Sequence, residues 1–200
     1  AAEKRETIGQ RLEKAREIIG EHGADSHWLL WHHLEGERAA IEKALPESVS
    51  IYGSLDLEER ETRIMQFSEG KIKILNTKPE LSGSGCNFQA FCHKNLYLGI
   101  NYDFNDFIQS IHRTHRFQQR ENVEVHIIHT ETERAIVAEL KAKWTRHIEL
   151  QETMRAIVSE HGLNQLSMVS KLTRSATVKR QEAEGKRWKF INNDCVLETS

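Results

Sequence analysis

The chain has 200 residues, enough for one large domain or two small ones. Its 28 Lys plus Arg against 30 Asp plus Glu leave a formal charge of −2, so there is no global pull on nucleic acid or acidic lipid and any anion site must be local. With 38% hydrophobic and 29% charged residues, and no apolar run near the about 20 residues of a membrane span, the sequence reads as a folded, helix-rich globular protein.

Glu3 to Glu21 places Ile8, Leu12, Ala15 and Ile19 at intervals of three and four, one apolar stripe on a charged opening helix within 1–23 that Gly23 stops. Short apolar runs follow: Trp28 to Trp31, Val49 to Tyr52, Ile72 to Leu75, Leu96 to Ile100 and Val123 to Ile128, each the length of a buried strand. Between them, Glu35 to Leu45, Leu57 to Phe67 and Asp106 to Gln118 carry apolar residues at helical spacing. Over 24–130 strand and helix alternate, which predicts an α/β fold: a mainly parallel sheet with helices on both faces, its functional loops at the carboxyl ends of the strands.

From 131 to 170 the pattern becomes a helical extension, with Val137, Leu140, Trp144, Ile148, Met154 and Ile157 as its expected inner stripe and Gly162 as its end. Residues 171–200 read as a basic tether and the start of a following domain. There Lys171, Arg174, Lys179, Arg180, Lys186, Arg187 and Lys189 outnumber Glu182 and Glu184.

Cys86, Cys92 and Cys195 are too few and too unevenly spaced for a disulfide framework or a four-ligand zinc site, and they read as reduced thiols. The amino terminus has no apolar run beside its charges, so a cytoplasmic protein is expected. His22, His27, His32 and His33 are interleaved with aromatics and no H-x-x-x-H falls on a predicted helix, so no metal site is expected.

Two segments carry residues suited to chemistry. Gly83-Ser84-Gly85-Cys86-Asn87-Phe88-Gln89 follows a predicted strand, and its glycines let backbone amides approach a phosphate or a neighbouring domain; an ordinary strand-end loop has the same look. In Gln109-Ser110-Ile111-His112-Arg113-Thr114-His115-Arg116, the spacing of four and three puts Gln109, Arg113 and Arg116 on one helical face. Two planar guanidinium forks with no acidic residue three or four positions away make an anion clamp, and a solvated charged face is the alternative.

The order of these segments resembles the second RecA-like lobe of a superfamily-two helicase, nearest to the Swi/Snf-type DNA translocases. Gly53, Glu59, Arg60 and Phe67 match one motif of that family, and Gly85, Asn87 and Phe88 match the next. Gln109, Arg113, Arg116 and Gln119 match the last, with Gln118 where the family has glycine. The resemblance covers about Trp28 to Thr130 and implies a motor lobe whose Arg113 and Arg116 act as arginine fingers on the γ-phosphate of ATP. It further implies that Gly83, Gly85, Asn87 and Gln109 border the nucleotide and the lobe interface. Gly53, Thr77, Lys78, Lys179 and Arg180 would face double-stranded DNA. Which of Asn76, Thr77 and Lys78 supplies the polar contact is left open by the length of the loop that follows.

The chain has no G-x-x-x-x-G-K-[ST] loop and no Asp-Glu pair to orient magnesium, so ATP and Mg would be held mainly by an upstream RecA-like lobe. Phe190 to Glu198 is similar to the opening of amino-type DNA methyltransferases, where a strand leads to an Asp-Cys pair such as Asp194-Cys195. That likeness implies a downstream methyltransferase domain, in a phage-type DNA-processing protein. Two rival readings are a non-catalytic interaction module that has kept the lobe fold, and a DNA-binding segment of a methyltransferase with no motor activity of its own.

Overall fold

A computed structural model of the chain describes residues 6–81, 86–116, 118–161, 189–190 and 195–197. In order, the elements are α1 (Ile8–Glu21), β1 (Trp28–Trp31), α2 (Glu35–Ala44), β2 (Ser48–Ser50), α3 (Leu57–Ser68), β3 (Ile74–Thr77), β4 (Lys94–Tyr97), α4 (Phe104–Ile111) and β5 (Glu124–Thr130). A single 3-10 turn (Glu131–Glu133), α5 (Arg134–His161), β6 (Lys189–Phe190) and β7 (Cys195–Leu197) complete it.

The strands run in the order β2-β3-β1-β4-β5-β6, and every pairing is parallel. β7 pairs with the second half of β5, Ile128 opposite Cys195 and Thr130 opposite Leu197, so the C-terminal segments of the chain add to this same sheet. Because side chains alternate along a strand, each strand feeds two cores. Leu29, Trp31, Leu75, Tyr97, Val125 and Ile127 face Phe67, Phe107, Ile111, Leu140 and Trp144, the inner side of α3, α4 and α5. Trp28, Leu30, Ile74, Leu96 and Ile128 face Leu12, Ala15, Ile18 and Ile41, the inner side of α1 and α2. The expected helix-covered parallel sheet is what forms.

Polar residues lock the layers. Arg11, wholly buried on α1, donates to the carbonyls of Leu98 and Ile128 at 2.9 and 3.0 Å and pairs with Glu133 at 2.8 Å. Glu133 in turn accepts the backbone N–H of Thr130 at 3.0 Å, which closes β5 and starts the turn into α5.

Three expectations need correction. The helix expected over Asp106 to Gln118 stops at Ile111, because Thr114 donates its hydroxyl to the Ile111 carbonyl while the amides of Arg113, Thr114 and His115 fold back onto Ser110 and Ile111. β4 starts two residues before its apolar run, because Lys94 and Asn95 are buried with partners. Lys94 donates to Ser26 at 2.9 Å, and Asn95 accepts from the Trp31 indole at 3.1 Å and donates to Thr114 at 2.8 Å. On α5, Val137, Leu140 and Trp144 are buried, whereas Met154 and Ile157 are exposed and lie beyond the edge of the core. Gly162, which was expected to end that helix, lies outside the described residues.

Candidate functional site

α4 starts beyond the carboxyl end of β4 and runs back along the sheet, so the turn after it is fastened toward the amino-terminal ends of the strands. Thr114 is bound to Asn95 near the start of β4, and the Gln119 amide donates to the carbonyl of Cys92 just before it, at 3.1 Å. The residues from 86 onward that lead into β4 lie on the same face. Phe88 stacks edge-on against Phe67 of α3 with ring centroids 5.0 Å apart, and its backbone amide donates to the Arg113 carbonyl at 3.0 Å. Three separated sequence segments thus meet at one point.

Arg113 is buried, and its Nε has no hydrogen-bond partner. Arg116 is exposed; its Nη1 donates to Oδ1 of Asn87 and its Nε to the carbonyl of His112 at 3.1 Å. Among the described residues neither arginine has a carboxylate partner. Burial draws the Arg113 guanidinium below its ordinary range, the nearby Cys86 opposes that, and Arg116 adds to it, yet a guanidinium stays charged at any physiological pH. Burial raises the Cys86 thiol while Arg113 and Arg116 pull it back down, which places this half-buried sulfur beside both cations. A buried cation with an unpartnered donor is costly unless an anion completes it. The arrangement can take the oxygens of a phosphate or carboxylate from outside the lobe.

The expected site residues fall into separate groups. Asn87, Arg113 and Arg116 come together. Gln109 is exposed on α4 and shares no continuous helix with the arginines, since α4 ends between them. Gly53, Thr77 and Lys78 lie at the carboxyl ends of β2 and β3, toward the other end of the sheet. There Arg60 donates to the Gly53 carbonyl at 2.9 Å and holds the turn after β2, Lys78 pairs with Glu35 at 3.8 Å, and Thr77 is buried. Asn76 is spent inside the sheet, bound to His32 at 2.7 Å and to Ser50 at 3.0 Å. Gly83, Gly85, Lys179 and Arg180 lie outside the described residues.

Gln118, which stands where the family that the sequence resembles has glycine, takes the left-handed conformation itself, with φ of 75°. Sequence reasoning missed Cys86, Asn95 and Thr114 as parts of the arginine site, because their roles depend on contacts between segments far apart in the chain.

No protein-family model matches the sequence, and no curated protein matches it. Solved structures do match. The C-terminal part of the Fun30 ATPase domain superposes with a TM-score of 0.51 at 20% identity, covering 60% of this chain and 40% of that one. Domain 2 of the DEAD-box helicase Mss116p, solved bound to an RNA duplex, gives 0.56 at 18%, covering 70% and 56%. The C-terminal domain of the DEAD-box protein Dbp5 gives 0.59 at 18%, covering 68% and 79%. The chain shares the RecA-like fold of these lobes. The chain spans little more than half of the Mss116p structure and less than half of the Fun30 structure, and most of the Dbp5 domain. Among the described residues no helix is long and apolar enough to cross a membrane.

Proposed function

We propose that the chain is the second motor lobe of an ATP-dependent translocase or helicase acting on double-stranded DNA, of Swi/Snf type. Arg113 and Arg116 reach the γ-phosphate of ATP held, with Mg, by a partner lobe that carries the phosphate-binding loop. The observation that supports this most directly is the Arg113 guanidinium, buried without a carboxylate and with an unpartnered Nε beside an exposed second arginine. Charge grows on the phosphoryl oxygens during transfer, and two fixed cations stabilise it without reorganising. Asn87 and the Phe88–Arg113 backbone bond hold both cations in register.

Lobe closure brings the arginines to the nucleotide, and release after hydrolysis lets the carboxyl-end group regrip the phosphate backbone. Gly53, Thr77, Lys78 and the basic segment with Lys179 and Arg180 are the proposed rail contacts. The sheet pairing of β6 and β7 with β5 favours the motor reading over a methyltransferase segment, since those residues extend the lobe.

The test is ATP turnover by the protein assembled with the lobe bearing the phosphate-binding loop. Arg113→Ala and Arg116→Ala should each lose on the order of a thousandfold while circular dichroism is unchanged. Undiminished turnover in both rejects the reading.

A further inference from the structure

His22 caps the C-terminal end of α1, on the side of the sheet opposite the arginine site. Its Nδ1 lies 2.8 Å from the carbonyl oxygen of Ile18. A carbonyl only accepts, so Nδ1 carries the proton, and in the neutral ring Nε2 is a bare lone pair. That lone pair points at a carboxylate: Oε2 of Glu124 is 3.3 Å away. The same oxygen lies 3.4 Å from Nε2 of His126. Glu124 and His126 are two apart on β5 and therefore share a face. All three ligand atoms lie within 4.8 Å of one another.

The two distances to Glu124 are those of ligand edges in a coordination shell. A tetrahedral ion with bonds of about 2.1 Å has ligand–ligand edges of about 3.4 Å. Two of the three edges fit as they stand, and the third, between the two imidazoles, is no longer than 4.8 Å. The Ile18 carbonyl fixes the His22 tautomer from behind, as the outer partner of a metal-bound histidine does. Trp28 packs against both rings, at 5.1 Å from His22 and 5.3 Å from His126, which limits their rotation. His126 is buried, whereas the side chains of His22 and Glu124 keep about a quarter of their surface, enough for water to complete the shell.

We propose that His22, Glu124 and His126 bind a divalent transition-metal ion of the zinc type, which clips the end of α1 to the start of β5. Two imidazoles and one carboxylate suit zinc, cobalt or iron(II), while magnesium and calcium prefer all-oxygen shells. The Lys94 ammonium, held by Ser26 and lying 5.7 Å from the Trp28 ring centroid, is the nearby charge that opposes a cation; His93 flanks the cluster. The site needs neither nucleotide nor partner lobe, and its spacing in the chain has no local signature.

The test uses the 200-residue chain stripped with a chelator and titrated with Zn2+ against a chromophoric indicator, then with Co2+ followed by visible absorption. One equivalent should bind, Co2+ should show nitrogen ligation, and saturating Zn2+ should raise the thermal midpoint by about 5 °C. His22→Ala and Glu124→Gln are chosen because both side chains are partly exposed and the second is isosteric. Each should weaken binding by about 10–100-fold and remove the thermal shift, with circular dichroism unchanged. No stoichiometric binding, or binding retained in both variants, overturns the proposal.

Discussion

The backbone amide of Phe88 donates to the carbonyl of Arg113, so the loop that carries Asn87 and the turn that carries both arginines move as one body. Phe88 is anchored in turn by its contact with Phe67. Arg116, exposed, is held by two side-chain bonds, to the His112 carbonyl of its own turn and to Asn87, and of these only the Asn87 bond ties it to the neighbouring loop. Asn87→Ala should leave the fold and Arg113 in place and lower ATP turnover about tenfold to a hundredfold, the loss expected of a misplaced charge. A kcat effect with little change in KM, measured in the assembled motor, is the expected result.

Gln118 holds a left-handed backbone conformation that costs an L-residue free energy and glycine almost none. Gln118→Gly should therefore raise stability by about 0.5–1 kcal/mol, less than the full strain because glycine also gains freedom in the unfolded chain. Urea denaturation would show a higher midpoint at unchanged slope.

Arg11 and Glu133 form an ion pair with the arginine side chain wholly buried. Arg11→Ala should cost about 3–5 kcal/mol, because it strands the Glu133 carboxylate and two strand-end carbonyls. Arg11→Met combined with Glu133→Leu should cost less than the sum of the two single changes, since neither charge is then left alone. A double-mutant cycle in urea measures the difference.

Burial holds the His32 imidazole below the ordinary histidine range, opposed by its bond to Asn76 and by Glu37 and Glu35, and aided by Lys78. Burial does the same for His112, where His147, Arg116 and Arg113 add to the effect. The unfolded chain takes up these protons as pH falls through about 6.5, and the folded chain only further down. Stability should be full above neutral pH, decline as pH drops below that value, and stop declining once the folded rings protonate. His32→Gln should flatten the profile of urea midpoint against pH.

The architecture was legible where the chain obeys simple rules. Trp28 to Trp31 is a run of apolar side chains and became the central strand at the residues expected. Elsewhere tertiary contacts overrode local pattern. Lys94 and Asn95 looked too polar for a strand, yet each finds partners that only the fold supplies. Thr114 cut short a helix whose apolar spacing continued past it. Arg113, Arg116 and Asn87 were named from the sequence, whereas Cys86, Asn95 and Thr114 were not, because their contacts join segments far apart in the chain. His22, Glu124 and His126 illustrate the extreme case: nothing within either stretch of sequence hints that a helix end and a strand start will converge.

The separation of Gly53, Thr77 and Lys78 from Arg113 and Arg116 has a mechanical reading. A strand of four residues is about 13 Å long, so on the proposed motor reading trigger and foothold would sit at opposite poles of a stiff beam. If the nucleotide tugs one pole and tilts the beam by about 15°, the other pole travels about 3.4 Å, the spacing of successive base pairs. If the proposed motor role holds, a lobe built this way would convert one hydrolysis into one step of stride without bending any part of itself.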